Sequence, residues 1–428
     1  MTTLHIRGGQ LIDASQGLDR IGNLLIADGK IVGIDQRPPA DAVELDATGL
    51  LVCPGLIDLH ASLGEPGFEE DETIATGTAS ALAGGFTSVA VRPDTEPVVD
   101  NRAAAEFIRL QGERAGHCHI FPLGAVTKKH AGEELAEIGL LVEGQAVGFT
   151  DAKQPIANAE IMRRALQYSR MFNKPILNFP QVPELLTGGL MHEGFHSTLL
   201  GLRGIPAAAE EIMVIRDIAL AEMTGGHIHL MCLSTRRGVD AVRRAKTDGV
   251  RVTADVTAHH LALTDESMRS FDTNHKVLPP LRSRDHIDAL IAGLQDGTID
   301  AICSDHEPSA EEKKLCELDQ APFGIVGLES VIPVCGSVLV EPGHLTWAQV
   351  IERLTTGPAG VLGLSKGTLQ PDADADITLI DPKVRWSFDA GCLRSASSNT
   401  PFNGFPGLGR VVSTIVSGHV RYRCPQPN

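Results

Sequence analysis

Five short apolar runs carry, at or near their ends, residues that could do chemistry. GLIDLH ends at His60, AVGFTD at Asp151, and KPILNF closes beside Asn178. HIHLMCLS carries Cys232, and IDAICSD ends at Asp305 with His306 following. Imidazole, carboxylate and thiolate are ordinary ligands of zinc and related divalent ions. A hydrolytic zinc site needs about three protein ligands and one open position for water. The stretch GLIDLHASLGEPG, Gly55 to Gly67, raises a difficulty at once. A metal-binding hydrolase would carry His-x-His there, and this chain offers His60, Ala61 and Ser62.

Side chains at strand ends need a scaffold that brings those ends together. From about residue 56, apolar runs alternate with longer amphipathic stretches. The strands predicted are GLIDLH, TSVAV (87–91), IFPLGAV (120–126), AVGFTD (146–151), KPILNF (174–179), HIHLMCLS (227–234), VRVTADVT (250–257) and IDAICSD (299–305). Such near-continuous apolar runs suit parallel strands covered on both faces. ETIATGTASALAGG predicts a helix stopped at Gly84 and Gly85. PAAAEEIMVIRDIALAEMTGG predicts a helix with Pro206 in its first turn, ending at Gly225. The fold class expected is α/β, a (β/α)8 TIM barrel over residues 56–364, with its active site at the C-terminal strand ends. A doubly wound open sheet is the alternative, since periodicity does not show closure.

Residues 1–55 and 365–428 read as short β runs divided by turn signals. ADGK (27–30) is a hairpin turn, because Asp-Gly tolerates positive φ. Each end is too short to bury a core alone. The two are expected to form one small composite β-domain flanking the barrel.

Composition narrows the class of function. Hydrophobic residues make up 43% of the 428, enough for a substantial core. A formal charge of -17 argues against non-specific binding to nucleic acid or anionic membranes. Eight scattered cysteines without a CxxC pair fit a reduced, cytoplasmic protein. MTTLHIRGGQLIDA lacks the features of a signal peptide, and no apolar stretch is long enough to span a membrane.

Longer motifs carry a resemblance. "PGLIDLHASLGEPGFEEDETIATGTASALAGGFTSVAVRPDTEPVVDN", "VTAHHLALTDESM", "FDTNHKVLPPLRS", "IDAICSDHEPSAEEKK", "APFGIVGLES" and "SNTPFNGF" resemble the blocks of type I dihydroorotases of the amidohydrolase superfamily. The resemblance covers essentially the whole chain. It implies a metal-dependent barrel that opens and closes a cyclic amide, with a strand-8 aspartate handling the proton and an arginine and an asparagine gripping the substrate carboxylate.

Carried over by position, the retained residues are His60, Asp151 and Asp305. The metal-ligand positions at Ser62, Asn178 and Cys232 depart from the family pattern, as do the substrate positions Gly64, Asp94, Leu278 and Ser309. Asp94 also puts a negative charge where the family receives a negatively charged substrate. The expectation that follows is a pseudo-dihydroorotase without zinc or other cofactor. It would be a non-catalytic subunit that assembles with the aspartate carbamoyltransferase catalytic chain in pyrimidine biosynthesis, as a homodimer within a hetero-oligomer. The rival is a metal-dependent cyclic amidohydrolase with a reduced site, acting on another cyclic amide through His60, Asp151, Cys232 and Asp305. A third reading is a small-molecule sensor. His259 and His260 are expected to pack, and Arg92 of RPDT could receive an anion.

Overall fold

The computed structural model describes residues 3–425. Its barrel strands are Leu56–Ala61, Phe86–Val91, His119–Gly124, Gly148–Phe149, Ile176–Asn178, Ile228–Leu230, Val252–Thr257 and Ala301–Cys303. Each lies within or against one predicted apolar run. They pair in parallel in strict chain order. A doubly wound sheet reverses its strand order, and this one does not. The first and last strands meet through the Ser62 N–H, which donates to the His306 carbonyl (2.8 Å). The Ser304 N–H likewise donates to Asp58 Oδ1 (2.7 Å). The fold is therefore a nearly closed (β/α)8 barrel.

Local chemistry sets the helix ends. Thr73 and Thr76 form a reciprocal capping box before Ile74–Ala83, which stops at Gly84. Ala208–Thr224 ends at Gly225, whose φ of +65° is the left-handed cap that glycine adopts without strain. Pro206 is not in the first turn of this helix. It precedes it, its carbonyl accepting from the Ala209 N–H in a tighter turn (3.1 Å).

The flanking sheet has eight strands drawn from both chain ends. Ile377–Ser387 pairs antiparallel with Leu51–Pro54, and Pro406–Val416 continues outward to His419–Arg423. Asp28 and Gly29 both take positive φ in the ADGK hairpin. A separate core of Leu4, Ile6, Leu24, Val52, Ile377 and Ile415 holds the two ends together. Among the described residues, no helix is long and apolar enough to cross a membrane.

Candidate metal centre

Four buried side chains converge on one side of the barrel, from strands one, seven and eight and from just beyond strand six. They are His60, Cys232, Asp255 and Cys303, and their ligand atoms all lie within 4.8 Å of one another. Asp255 organises the group. Its Oδ2 accepts from His60 Nε2 (2.7 Å) and His229 Nε2 (2.8 Å). Its Oδ1 accepts from the Cys232 N–H (2.7 Å) and from Cys303 Sγ (3.2 Å). Cys232 Sγ lies 4.0 Å from His60 Nε2.

The charges are set by neighbours working against burial. Burial pushes the His60 imidazolium down, but Asp255 and Cys232 carry it well above the ordinary histidine range. Burial pushes Asp255 up, and His60 and His229 outweigh it, leaving the carboxyl far below its usual range. Against burial, the Cys303 hydrogen bond, Lys153 and His60 lower the Cys232 thiol. Burial, with Cys232 and Asp255 beside it, drives Cys303 well up. Cys232 is thus the readier thiolate, and Cys303 stays a thiol.

Beside this group sits Asp305. Its Oδ2 accepts from Lys153 Nζ (2.7 Å), while Oδ1 has no hydrogen-bond partner among the described residues. That Oδ1 lies 3.6 Å from His60 Nδ1 and 3.8 Å from Arg92 Nη1, and both of those nitrogens are also unpartnered. Lys153 Nζ also donates to the Leu278 carbonyl (2.7 Å). Cys232 and Asp305 both hold positive φ, 53° and 47°, a conformation costly for residues with a Cβ. Such strain persists only where the surroundings over-determine it, and it gathers at functional sites.

The structure brings His60, Cys232 and Asp305 together and places the other sequence-derived positions around or away from them. Asp151 turns aside: its carboxylate accepts from the Val126 and Thr127 N–H groups (2.8 and 2.9 Å) and from the Thr127 hydroxyl. Asn178 donates to the buried Asp217 (2.7 Å). Ser62 joins the closing strands through its backbone. Leu278 contributes its carbonyl to Lys153. The Ser309 N–H donates to Asn399 Oδ1 (3.1 Å). Asp94 pairs with Arg92 (2.7 Å), which also holds Glu307 (3.0 Å). Gly64 has φ +65°, and a Cβ there would lie 2.4 Å from the Glu72 carbonyl oxygen. His259 and His260 are buried, the latter donating through Nε2 to the Pro279 carbonyl (2.9 Å).

Asp255, Cys303 and Lys153 were missed by the sequence reading. A signal for the first existed: a charged residue inside VTADVT, a run otherwise suited to burial on both faces. Two sulfurs, an imidazole and a carboxylate form a donor set that zinc accepts. His229 and the Cys232 N–H orient Asp255 from behind, as outer partners orient metal ligands. The residues present therefore fit a divalent metal, which corrects the expectation of a chain without one.

Comparisons with known proteins point the same way. The Dihydro-orotase-like family matches residues 49–238. The dihydroorotase of Pelotomaculum thermopropionicum is 49% identical over 418 residues, covering 97% of this chain and 98% of that protein. That of Pelobacter propionicus is 46% identical, covering 98% of this chain and 99% of that protein. In fold, the chain matches an L-hydantoinase (dihydropyrimidinase) from Arthrobacter aurescens with a TM-score of 0.87 at 23% identity, covering 98% and 96% of the two chains. Relatives this similar bear the name of an enzyme. They overturn the expectation of a non-catalytic, purely structural subunit. With such identity along almost its whole length, the chain belongs to the dihydroorotase-like family.

Proposed function

We propose that this protein is a metal-dependent hydrolase of a cyclic amide, working from a reduced site at the mouth of the barrel. The observation that carries the reading is the buried group of His60, Cys232, Asp255 and Cys303 on one side of the barrel. His60, Cys232 and Asp255 would hold the ion, with Cys303 beside them as a thiol. A divalent metal held there would supply Lewis-acid polarisation of the ring carbonyl and a water of lowered pKa.

The chain's own residues do the rest. Asp255 holds the ring of His60 from the Nε2 side in the structure, a hydrogen bond that would give way to the ion where Nε2 is its ligand. Asp305 stays deprotonated at neutral pH, because Lys153, His60 and Arg92 outweigh its burial. Its free Oδ1 is the atom that receives the proton of the attacking water and returns it to the leaving ring nitrogen. Lys153 and Arg92 prevent that carboxylate from turning away.

The charge of the mouth favours a neutral ring. Asp94, Glu307 and Asp305 face Arg92 and Lys153, three carboxylates against two cations. Asp94 and Glu307 are partly exposed and meet an incoming substrate first. An anionic ring such as dihydroorotate is repelled there, whereas hydantoin or an uncharged dihydropyrimidine is not.

The test is metal content of the purified protein by mass spectrometry, with hydrolysis of hydantoin, dihydrouracil and dihydroorotate assayed on the same zinc-loaded sample. Bound metal and turnover of a neutral ring are expected. Absence of metal after loading, or of turnover on all three rings, would overturn the reading.

A further inference from the structure

Lys153 is placed where a cation is wanted. Its ammonium lies 2.7 Å from Asp305 Oδ2, 2.7 Å from the Leu278 carbonyl oxygen and 3.9 Å from Cys232 Sγ. Two oxygens and a sulfur converge on it, in surroundings that leave its side chain only 14% exposed. The face of the Phe179 ring closes another side, 4.9 Å from Nζ. Beside them, His60 Nδ1 and Asp305 Oδ1 are buried, lack hydrogen-bond partners among the described residues and lie 3.6 Å apart. An imidazole nitrogen, a carboxylate, a carbonyl and a sulfur are thus arranged around one small region, and an ammonium occupies it.

We propose that the Lys153 ammonium is a resident cation of the site, which neutralises Asp305 and limits the barrel mouth to a single metal ion. The assignment rests on the metal reading above for the first ion, but not for the lysine's own role. The four-donor group faces His60 through Nε2, while Lys153 serves the Asp305 side, which His60 faces through Nδ1. A second divalent ion on that side would meet the ammonium directly and the Arg92 guanidinium 3.8 Å from Asp305. At such separations like charges repel strongly even at a surface-like dielectric. Lysine differs from a metal in one further respect. It is tethered, so Asp305 keeps its partner whatever the metal supply.

The experiment is a zinc titration of the metal-free full chain, with bound equivalents counted by mass spectrometry after desalting. Cobalt(II), whose visible spectrum reports thiolate ligation, serves as a second probe. The variants are Lys153→Met, Lys153→Gln, Lys153→Arg and the double substitution Lys153→Met with Asp305→Asn. One equivalent is expected in the wild type and in Lys153→Arg. Two are expected in Lys153→Met and Lys153→Gln, falling back to one in the double variant. Two equivalents in the wild type overturn the assignment directly, even if no variant folds. One equivalent in wild type and in both neutral variants also overturns it and leaves the metal reading standing. No metal in the wild type with one equivalent in Lys153→Met overturns the metal reading and leaves the lysine as the site's own cation.

Discussion

His60 and Asp255 meet at 2.7 Å, on strands separated only by the last strand of the nearly closed barrel, with both side chains fully buried. Asp255 is 195 residues further along the chain and also receives His229. The pair is an internal ion pair whose Asp255 half is fully bonded, its Oδ1 accepting from the Cys232 N–H and Cys303 Sγ, which offsets part of the cost of burying the charges.

Asp255→Ala should therefore be severe. It leaves the His60 and His229 nitrogens without an acceptor and frees the Cys232 N–H. Breaking a buried pair by removing one partner costs about 3–5 kcal/mol. Equilibrium urea unfolding should show a loss of that order, and zinc uptake should fall below one equivalent. A near-neutral effect on stability would mean that the pair is not formed in solution.

Stability should decline in acid from near pH 6.5. Burial is the leading cause that lowers His192, His227 and His260 to about 4. A histidine depressed in the folded state gives stability that is complete above its unfolded pKa and lost as pH falls towards the folded one. Each contributes a slope of up to about 1.4 kcal/mol per pH unit between roughly 6.5 and 4. His60 has the opposite sign. Raised in the folded protein, it gives stability that is complete below about 6.5 and lost only as pH rises through its folded value. Urea midpoints should drop steeply between pH 6.5 and 4 in the wild type, and less steeply in His227→Gln. Equal slopes in the two proteins would sink the assignment to His227.

How much of this was legible depends on where each signal lies in the chain. The eight strands were readable because a parallel strand buried on both faces must be apolar almost throughout, as TSVAV and IDAICSD are. Their ends were less so. AVGFTD yields only Gly148–Phe149 as strand, and the Asp151 side chain beyond it accepts from the Val126 and Thr127 N–H groups. His60 and Asp305 were found because they end runs, and Cys232 because it stands at a ligand position of the family pattern. Asp255 and Cys303 sit inside theirs and looked like core. Lys153, in DAKQP, reads as a solvated loop residue. Its partners are 79 and 152 residues away, and only closure of the barrel brings them to it.

Gly64 shows why one residue type was forced. Its φ of +65° disfavours any side chain, and the Phe68 and Glu72 carbonyl oxygens stand 2.6 and 2.4 Å from where a Cβ would be. Gly64→Ala should destabilise by about 1–3 kcal/mol or more, read as a lowered thermal midpoint. Gly64→Arg should do the same without bringing any hydrolysis of dihydroorotate, because the backbone must move before the guanidinium can reach the mouth. A stable Gly64→Arg protein active on dihydroorotate would contradict both the turn geometry and its consequence.

The charge balance around Arg92 gives the sharpest test of substrate choice. Arg92 donates Nη2 to Glu307 and Nε to Asp94, and keeps Nη1 unpartnered towards Asp305. Asp94→Asn removes the negative charge nearest the opening while leaving an acceptor for Arg92. The mouth then carries two carboxylates against two cations. An anionic ring should gain, and a neutral ring should hardly notice. The ratio of kcat/KM for dihydroorotate to that for hydantoin should rise about tenfold, the ~1.4 kcal/mol that one charge several Å away supplies at the dielectric of a partly exposed site. The gain should shrink as salt is raised, because the site opens to solvent and is screened. If both substrates change together, the variant has disturbed the site's geometry and Asp94 does not choose between them. If the ratio falls, Asp94 assists the anionic substrate, and the preference for a neutral ring is wrong.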